Sequence, residues 1–157
     1  MESMSARRSR RRITFLLAQI GSEASAAFEQ AVGELGITSS EAGLLRLVGR
    51  TPGISQKAAS EQLGVGPSRV VAVLDRLEAD GRLERRRSAT DRRTHELTLT
   101  PRGEDLLARL RPLAETHEQG FTDMLSDADL DNLATYLEAI IASRGLNRDV
   151  HHATTPR

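Results

Sequence analysis

Arginine is the side chain best suited to bind phosphate, and the arginines of this chain are concentrated in two short segments. Between residues 82 and 93 six Arg stand against two acids, a local excess of four positive charges, and residues 7–12 hold five more Arg. The formal net charge is nevertheless zero, because residues 101–150 carry ten acids against five Arg. A local basic patch, rather than the net charge, decides whether a protein can bind nucleic acid. The zero net charge therefore does not exclude a nucleic-acid-binding protein.

Several other chemistries lack the residues that they require. The chain has no Cys, which excludes disulfides, thiolate metal sites and thiol-based redox sensing. It has no glycine-rich phosphate loop, nucleophile elbow or His-x-x-x-His pair, and the acids at 127, 129 and 131 fit a helix cap rather than a calcium loop. Four His (His95, His117, His151, His152) leave a metal sensor as an alternative, which would need three or four convergent ligands. We therefore expect no enzyme activity, no cofactor and no metal.

The spacing of apolar residues predicts a mainly α-helical chain with one small β-hairpin. Helices are expected over residues 8–35, 38–50, 55–63, 67–79, 101–125 and 126–145. A capping box at Thr38 and Glu41 and a Ser cap at Ser55 mark two of the helix starts. Two extended segments, 82–87 and 95–100, enclose a polar tip and form the predicted two-stranded hairpin. Pro112 lies inside the fifth helix, where we expect a kink.

Residues 55–100 predict a helix-turn-helix followed by a wing. The small Ala58 and Ala59 allow close crossing by the helix that starts at Pro67, after the tight turn at residues 64–67. That helix buries an apolar face and leaves Ser68 and Arg69 outward at its N-terminal end. Such a helix fits the major groove of B-form DNA, and its first residues reach base edges, while an Arg-rich loop can enter the minor groove. Aromatic residues make up only 3% of the chain, which leaves few platforms for stacking single-stranded bases.

The N-terminal segment admits two interpretations. Arg11 and Arg12 before a short apolar run are reminiscent of a twin-arginine export signal, but the apolar run ends at Ala18. The helical spacing of Ile13, Leu16 and Ile20 favours an amphipathic helix, and so a cytoplasmic protein with no membrane partner. The first, fifth and sixth helices together carry more apolar surface than one winged lobe can cover, and a second copy of the chain is the simplest way to bury it.

Three runs of residues resemble the MarR family of bacterial transcriptional regulators. They are residues 35–42, residues 55–77 and, most specifically, Asp91-Arg92-Arg93 followed by the Leu97–Gly103 run LTLTPRG. The resemblance covers roughly residues 10–145. It implies a single chain with a DNA-binding lobe at 37–100, dimerisation helices at 8–36 and 101–146, and tails at 1–7 and 149–157 that we expect to be flexible. It also implies an obligate homodimer, a palindromic operator and release by a small aromatic or phenolic effector.

The resemblance also implies a role for individual residues. Pro67 would fix the start of the recognition helix, and Ser68 and Arg69 would read the major groove. Asp91 would hold the wing loop, and Arg92 or Arg93 would enter the minor groove. The expected phosphate contacts are Ser55, Gln56, Arg85, Arg86 and Arg87. A ligand cleft between the dimerisation base and the lobe is inferred from the resemblance alone, with Phe28 and His117 in its lining.

The chain departs from the family pattern on the recognition helix. Many relatives carry a Ser or Thr and then an Arg where this chain has Val71 and Ala72, so that base readout would depend more on Arg69 and on the wing. The resulting prediction is a sequence-specific repressor of transcription. The alternative is a winged helix that binds DNA without sequence preference, or that acts through protein contacts, without an effector.

Overall fold

The computed structural model describes residues 12–88 and 94–146, and in these residues the chain is mainly helical, as predicted. The elements are α1 (Ile13–Gly33), α2 (Ser39–Arg50), β1 (Ile54–Ser55), α3 (Gln56–Leu63), α4 (Pro67–Ala79), β2 (Leu83–Arg87), β3 (His95–Leu99), α5 (Pro101–Thr122) and α6 (Asp127–Ser143). The expected start of the first helix at residue 8 and the two tails lie outside the described residues.

The helix starts follow the predicted capping residues. Thr38 and Glu41 form the capping box of α2, in which the backbone N–H of Thr38 donates to Glu41 Oε2 at 2.7 Å and the backbone N–H of Glu41 donates to Thr38 Oγ1 at 3.2 Å. Ser55, Thr100 and Ser126 cap α3, α5 and α6 with a side-chain oxygen that accepts a hydrogen bond from the backbone N–H three residues later. Helix α5 runs continuously through Pro112, although a proline there removes one backbone hydrogen-bond donor.

The sheet has three antiparallel strands in the order β1-β3-β2, which is one strand more than the predicted two-stranded hairpin. The β2–β3 hairpin itself is present, with Leu83 opposite Leu99 and Arg85 opposite Leu97. The third strand is only two residues long, and Ile54 pairs with Leu97 on the other edge of β3. Alternation cannot reveal a strand of two residues, because the pattern needs four or more.

Most of the hydrophobic core lies in the lobe formed by α2, α3, α4 and the sheet, and buried residues of α1 and α5 extend it. Helix α4 buries Val70, Leu74 and Leu77, which recur at intervals of four and three residues and therefore share one face. Leu44 and Leu45 of α2 and Leu97 of β3 are also fully buried. This packing holds the opposite face of α4 at a fixed position on the surface.

The helices outside the lobe leave large apolar side chains in contact with solvent. Helix α6 contains no buried residue, and α1 buries only Phe28 and Val32 near its C-terminal end. The exposed large apolar residues are Ile13, Phe15, Leu16, Leu17, Ile20, Met124, Leu133, Tyr136, Ile140 and Leu146. None of the described helices is long and apolar enough to cross a membrane.

Candidate nucleic-acid interface

Hydrogen bonds and one glycine fix the turn between α3 and α4. Ser55 Oγ accepts a hydrogen bond from the backbone N–H of Ala58 at 3.1 Å, which starts α3. Gly64 ends α3 with φ +59°, a left-handed conformation that favours glycine. Ser60 Oγ then donates to the carbonyl oxygen of Val65 at 2.7 Å. The turn therefore holds α4 at a defined angle to α3.

The N-terminal end of α4 presents the residues predicted to read bases. Pro67 occupies the first turn, where its missing N–H costs nothing, and Pro67, Ser68 and Arg69 are all exposed. Val71 is half-buried and Ala72 is exposed. Ser55 and Gln56, at the start of α3, are half-buried. The structure therefore places the predicted major-groove residues together on one exposed helix end.

Strand β2 of the wing carries the three arginines that were predicted to contact phosphate, Arg85, Arg86 and Arg87. Arg86 and Arg87 are exposed, and Arg86 Nη2 lies 2.6 Å from Glu84 Oε1 on its own strand. The backbone N–H of Ser88 donates to the carbonyl oxygen of Thr94 at 2.9 Å and continues the hairpin beyond the β2–β3 ladder. The predicted wing-tip residues Asp91, Arg92 and Arg93 lie outside the described residues.

Arg85 differs from its neighbours because its guanidinium binds two carboxylates of α4. Its Nη2 lies 2.6 Å from Asp75 Oδ1, and both Nε (at 2.9 Å) and Nη2 donate to Glu78 Oε2. The hydrogen bonds from Arg85 hold the pKa of Glu78 below its ordinary value, and those to Glu78 and Asp75 raise the pKa of Arg85. From the sequence, Arg85 was predicted to contact DNA phosphate, and its pairing with Asp75 and Glu78 was not predicted. The two acids are three residues apart and therefore lie on the same face of α4, which was the only indication in the sequence.

A second ion pair holds α4 against α2. Arg76 Nε lies 3.3 Å from Glu41 Oε1, and the Glu41 side chain is only 2% exposed. The other carboxylate oxygen of Glu41 accepts hydrogen bonds from the backbone N–H of Thr38 and from Thr38 Oγ1. Glu41 therefore caps one helix and anchors another, a role that its place in the capping box did not predict.

The two residues predicted for the ligand cleft are in contact with each other. The His117 ring packs edge-on against Phe28, with centroids 5.4 Å apart, and lies 5.1 Å from the Phe121 ring. His117 Nε2 lies 2.9 Å from the carbonyl oxygen of Ala24, so this nitrogen carries the hydrogen, because a carbonyl only accepts. The cluster fastens α5 to α1.

Two clefts flank α2. The one on the side of α1 and the helix-turn-helix has a volume of about 50 Å³ and is bordered by Phe28, Leu44 and Arg69. The one between α2 and α5 has a volume of about 370 Å³, within the roughly 300–1,000 Å³ range of small-molecule sites. Its lining comprises Arg46, Gly49, Arg50, Leu107, Leu110, Arg111, Ala114 and Glu115. Of the two residues predicted for a ligand cleft, Phe28 borders only the smaller cleft and His117 borders neither of these two. No group of three potential metal-ligating side chains converges anywhere in residues 12–88 and 94–146.

The lobe is a winged helix-turn-helix. It has a capped turn, a second helix with an exposed polar N-terminal end and an adjoining antiparallel wing.

Comparison with known proteins agrees with this fold. A family profile described as the MarR family matches residues 35–94. A transcriptional regulatory protein for the hcr operon of Thauera aromatica is 35% identical over 105 residues, which are 67% of this chain and 63% of that protein. The chain therefore spans less than two thirds of that relative.

Solved structures extend the similarity over most of the chain. The transcriptional repressor CouR bound to a 23-mer DNA duplex is 32% identical, with a TM-score of 0.76 over 82% of this chain and 91% of that one. CouR from Rhodococcus jostii bound to p-coumaroyl-CoA shares the fold at 21% identity, with a TM-score of 0.73 over 92% of this chain and 95% of that one. The chain belongs to the MarR family of transcriptional regulators.

Proposed function

We propose that this chain is a sequence-specific, DNA-binding repressor of transcription that acts in the cytoplasm as a homodimer on a palindromic operator. The observation that carries the proposal is the exposed N-terminal end of α4, held by the capped turn and the buried face of the same helix. The 32% identical CouR, whose structure contains a DNA duplex, supports it.

The described side chains divide into base contacts and phosphate contacts. Arg69 can donate two hydrogen bonds to the major-groove edge of a guanine, and Ser68 can serve either as a donor or as an acceptor. Ser55, Gln56, Arg86 and Arg87 would contact phosphates, which position the protein without specifying sequence. The wing-tip arginines Arg92 and Arg93 would enter the minor groove, with Asp91 holding their loop.

The homodimer follows from the apolar faces of the terminal helices. Ile20 on α1 is 59% exposed and Tyr136 on α6 is 66% exposed, while α6 buries nothing in the single chain. Large apolar side chains left exposed in a single chain are typical of a dimer interface. A two-fold axis through these helices would set two copies of α4 about one DNA turn apart, roughly 34 Å, and would match a palindromic site.

The effector is proposed to be an aromatic acid or its thioester. The cleft between α2 and α5 joins an apolar floor, with Leu107 and Leu110, to a rim with Arg46 and Arg111, which suits an apolar body with an anionic group. The Rhodococcus jostii relative binds p-coumaroyl-CoA, which is such a molecule. Binding between the base and the lobe would change the spacing of the two α4 helices, with a coupling of about 1–3 kcal/mol or roughly 5–150-fold in operator affinity.

The test compares Arg69→Gln with Arg109→Gln, an exposed arginine on α5 that serves as a matched loss of one charge. Each protein is titrated by fluorescence anisotropy against a duplex selected from random sequence by the wild type and against a scrambled duplex. We expect Arg69→Gln to lower the preference for the selected duplex by about 5–150-fold, corresponding to 1–3 kcal/mol, and Arg109→Gln to retain it. An unchanged preference in Arg69→Gln, or no duplex enriched by selection, would support the non-specific or protein-binding alternative.

A further inference from the structure

The Arg85 side chain links the wing to the recognition helix. Arg85 lies in the middle of β2, opposite Leu97, and its guanidinium reaches both Asp75 and Glu78 on α4. The backbone N–H of Arg85 also donates to Glu78 Oε1 at 3.4 Å. The Arg85 side chain is 23% exposed, whereas that of the adjacent Arg86 is 70% exposed and pairs within its own strand.

We propose that Arg85 is a positioning residue that fixes the wing to the recognition helix, and that it does not itself bind DNA. This inference depends on the proposed function, because positioning matters only if α4 and the wing read the same duplex. The planar guanidinium has five N–H donors in a fixed arrangement, so that it can bind two carboxylates at once and restrict rotation between the two elements.

The charge of the cluster argues against a direct role in phosphate binding. Asp75 and Glu78 are 55% and 40% exposed, and together with Arg85 they give a net charge of minus one. Carboxylates on a DNA-reading helix repel the duplex, so their presence there needs a structural reason. The contact lowers the pKa of Glu78 and raises the pKa of Arg85, as expected for an ion pair that favours the charged form of both groups.

The position of Arg85 allows it to control the orientation of the hairpin. The β2–β3 ladder continues beyond Arg85 to the pair formed by Arg87 and His95. A small tilt of β2 about its contact with α4 therefore produces a larger displacement at the far end of the hairpin. The separate Arg76–Glu41 pair fastens α4 to α2 and would not restrain such a tilt.

The double variant Asp75→Asn, Glu78→Gln distinguishes a positioning role of the cluster from a purely electrostatic one, because the two roles predict opposite changes in affinity for the selected duplex. It removes two negative charges beside the DNA, so electrostatics alone predicts tighter binding to any duplex. Positioning predicts a loss of about tenfold in affinity for the selected duplex, equivalent to about 1.4 kcal/mol, with unchanged or tighter binding to a scrambled duplex. Without DNA, hydrogen exchange at residues 83–88 and 94–99 should become faster in this variant, because the hairpin has lost the ion pairs that bind it to α4.

Two further variants complete the experiment. The reversed pair Glu78→Arg, Arg85→Glu should restore slow exchange and most of the preference, whereas Arg86→Gln should weaken binding to both duplexes without changing exchange. Tighter binding of the double variant to both duplexes, or unchanged exchange and an unchanged ratio of affinities, would overturn the proposal. If the wild type itself shows no preference, the proposed function fails, and the exchange rates alone decide whether Arg85 couples the two elements.

Discussion

Replacement of Gly103 by alanine should destabilise the junction between the lobe and α5. Gly103 is buried in the first turn of α5, and a Cβ placed there would lie 1.9 Å from the carbonyl oxygen of Arg82 and 3.0 Å from its carbonyl carbon. The same carbonyl oxygen accepts a hydrogen bond from the backbone N–H of Thr100 at 3.2 Å, and Thr100 Oγ1 donates to the carbonyl oxygen of Gly81 at 2.7 Å. Two backbone segments would have to separate to admit one methyl group.

The size of the effect follows from three contributions. Forced overpacking costs about 1–3 kcal/mol, and disturbing the Thr100–Arg82 hydrogen bond costs about 1 kcal/mol more. The higher helix propensity of alanine returns about 1 kcal/mol. The free energy of unfolding should therefore fall by about 1–3 kcal/mol, which lowers Tm by roughly 3–9 °C for a chain of this size.

Thermal unfolding followed by circular dichroism at one fixed protomer concentration measures this change. The control is Gly43→Ala in α2, where an added Cβ meets no atom within 4 Å and should stabilise the helix by about 0.5–1 kcal/mol. If Gly103→Ala is as stable as the wild type, or if both variants shift Tm equally, the close approach of the two backbones is refuted.

Three further predictions concern assembly, acid stability and the wing. Ile20→Glu should convert the dimer into monomers in light scattering, because it places a charge on the exposed face of α1; a persistent dimer would contradict this interface. The Glu78 carboxylate, whose pKa is held below 4.5, stabilises the fold above that pH and loses the contribution as pH falls through the lowered value. Glu78→Gln should therefore lose less stability than the wild type as the pH is lowered from neutral to below the ordinary glutamate pKa of 4.5, and equal losses would contradict the ion pair. Arg92→Ala with Arg93→Ala should reduce the slope of log affinity against log salt by about 0.9 for each phosphate that the variant no longer neutralises, and an unchanged slope would contradict the wing assignment.

Helix boundaries were predictable from sequence where local hydrogen bonds define them. The capping box at Thr38 and the Ser55 cap involve residues three apart, so their donors and acceptors are visible in the sequence. Strand β1 could not be predicted in this way, because it forms only when the folded lobe brings β3 beside it. The backbone N–H of Gly53, just before β1, donates to the carbonyl oxygen of Leu97 at 2.9 Å, a contact between distant parts of the chain.

Some features of the candidate site could also be predicted from the sequence, and others could not. Pro67 and the period of the apolar residues fix which side of α4 is exposed, so the exposure of Ser68 and Arg69 could be predicted from the sequence alone. The expectation for Arg85 rested on its membership of an Arg-rich run. Its carboxylate partners belong to the preceding helix, and only the packing of β2 against α4 reveals that they meet.

The affinity and stoichiometry of the wild type on DNA test the central claim most directly. The protein is titrated by fluorescence anisotropy, over a range of salt concentrations, against the duplex from upstream of its own gene and a scrambled duplex of equal length. Two protomers per upstream duplex, a preference for it over the scrambled duplex and a steep fall of affinity with salt are the predicted results. Equal affinity for both duplexes, or one protomer per site, would contradict a sequence-specific dimeric repressor.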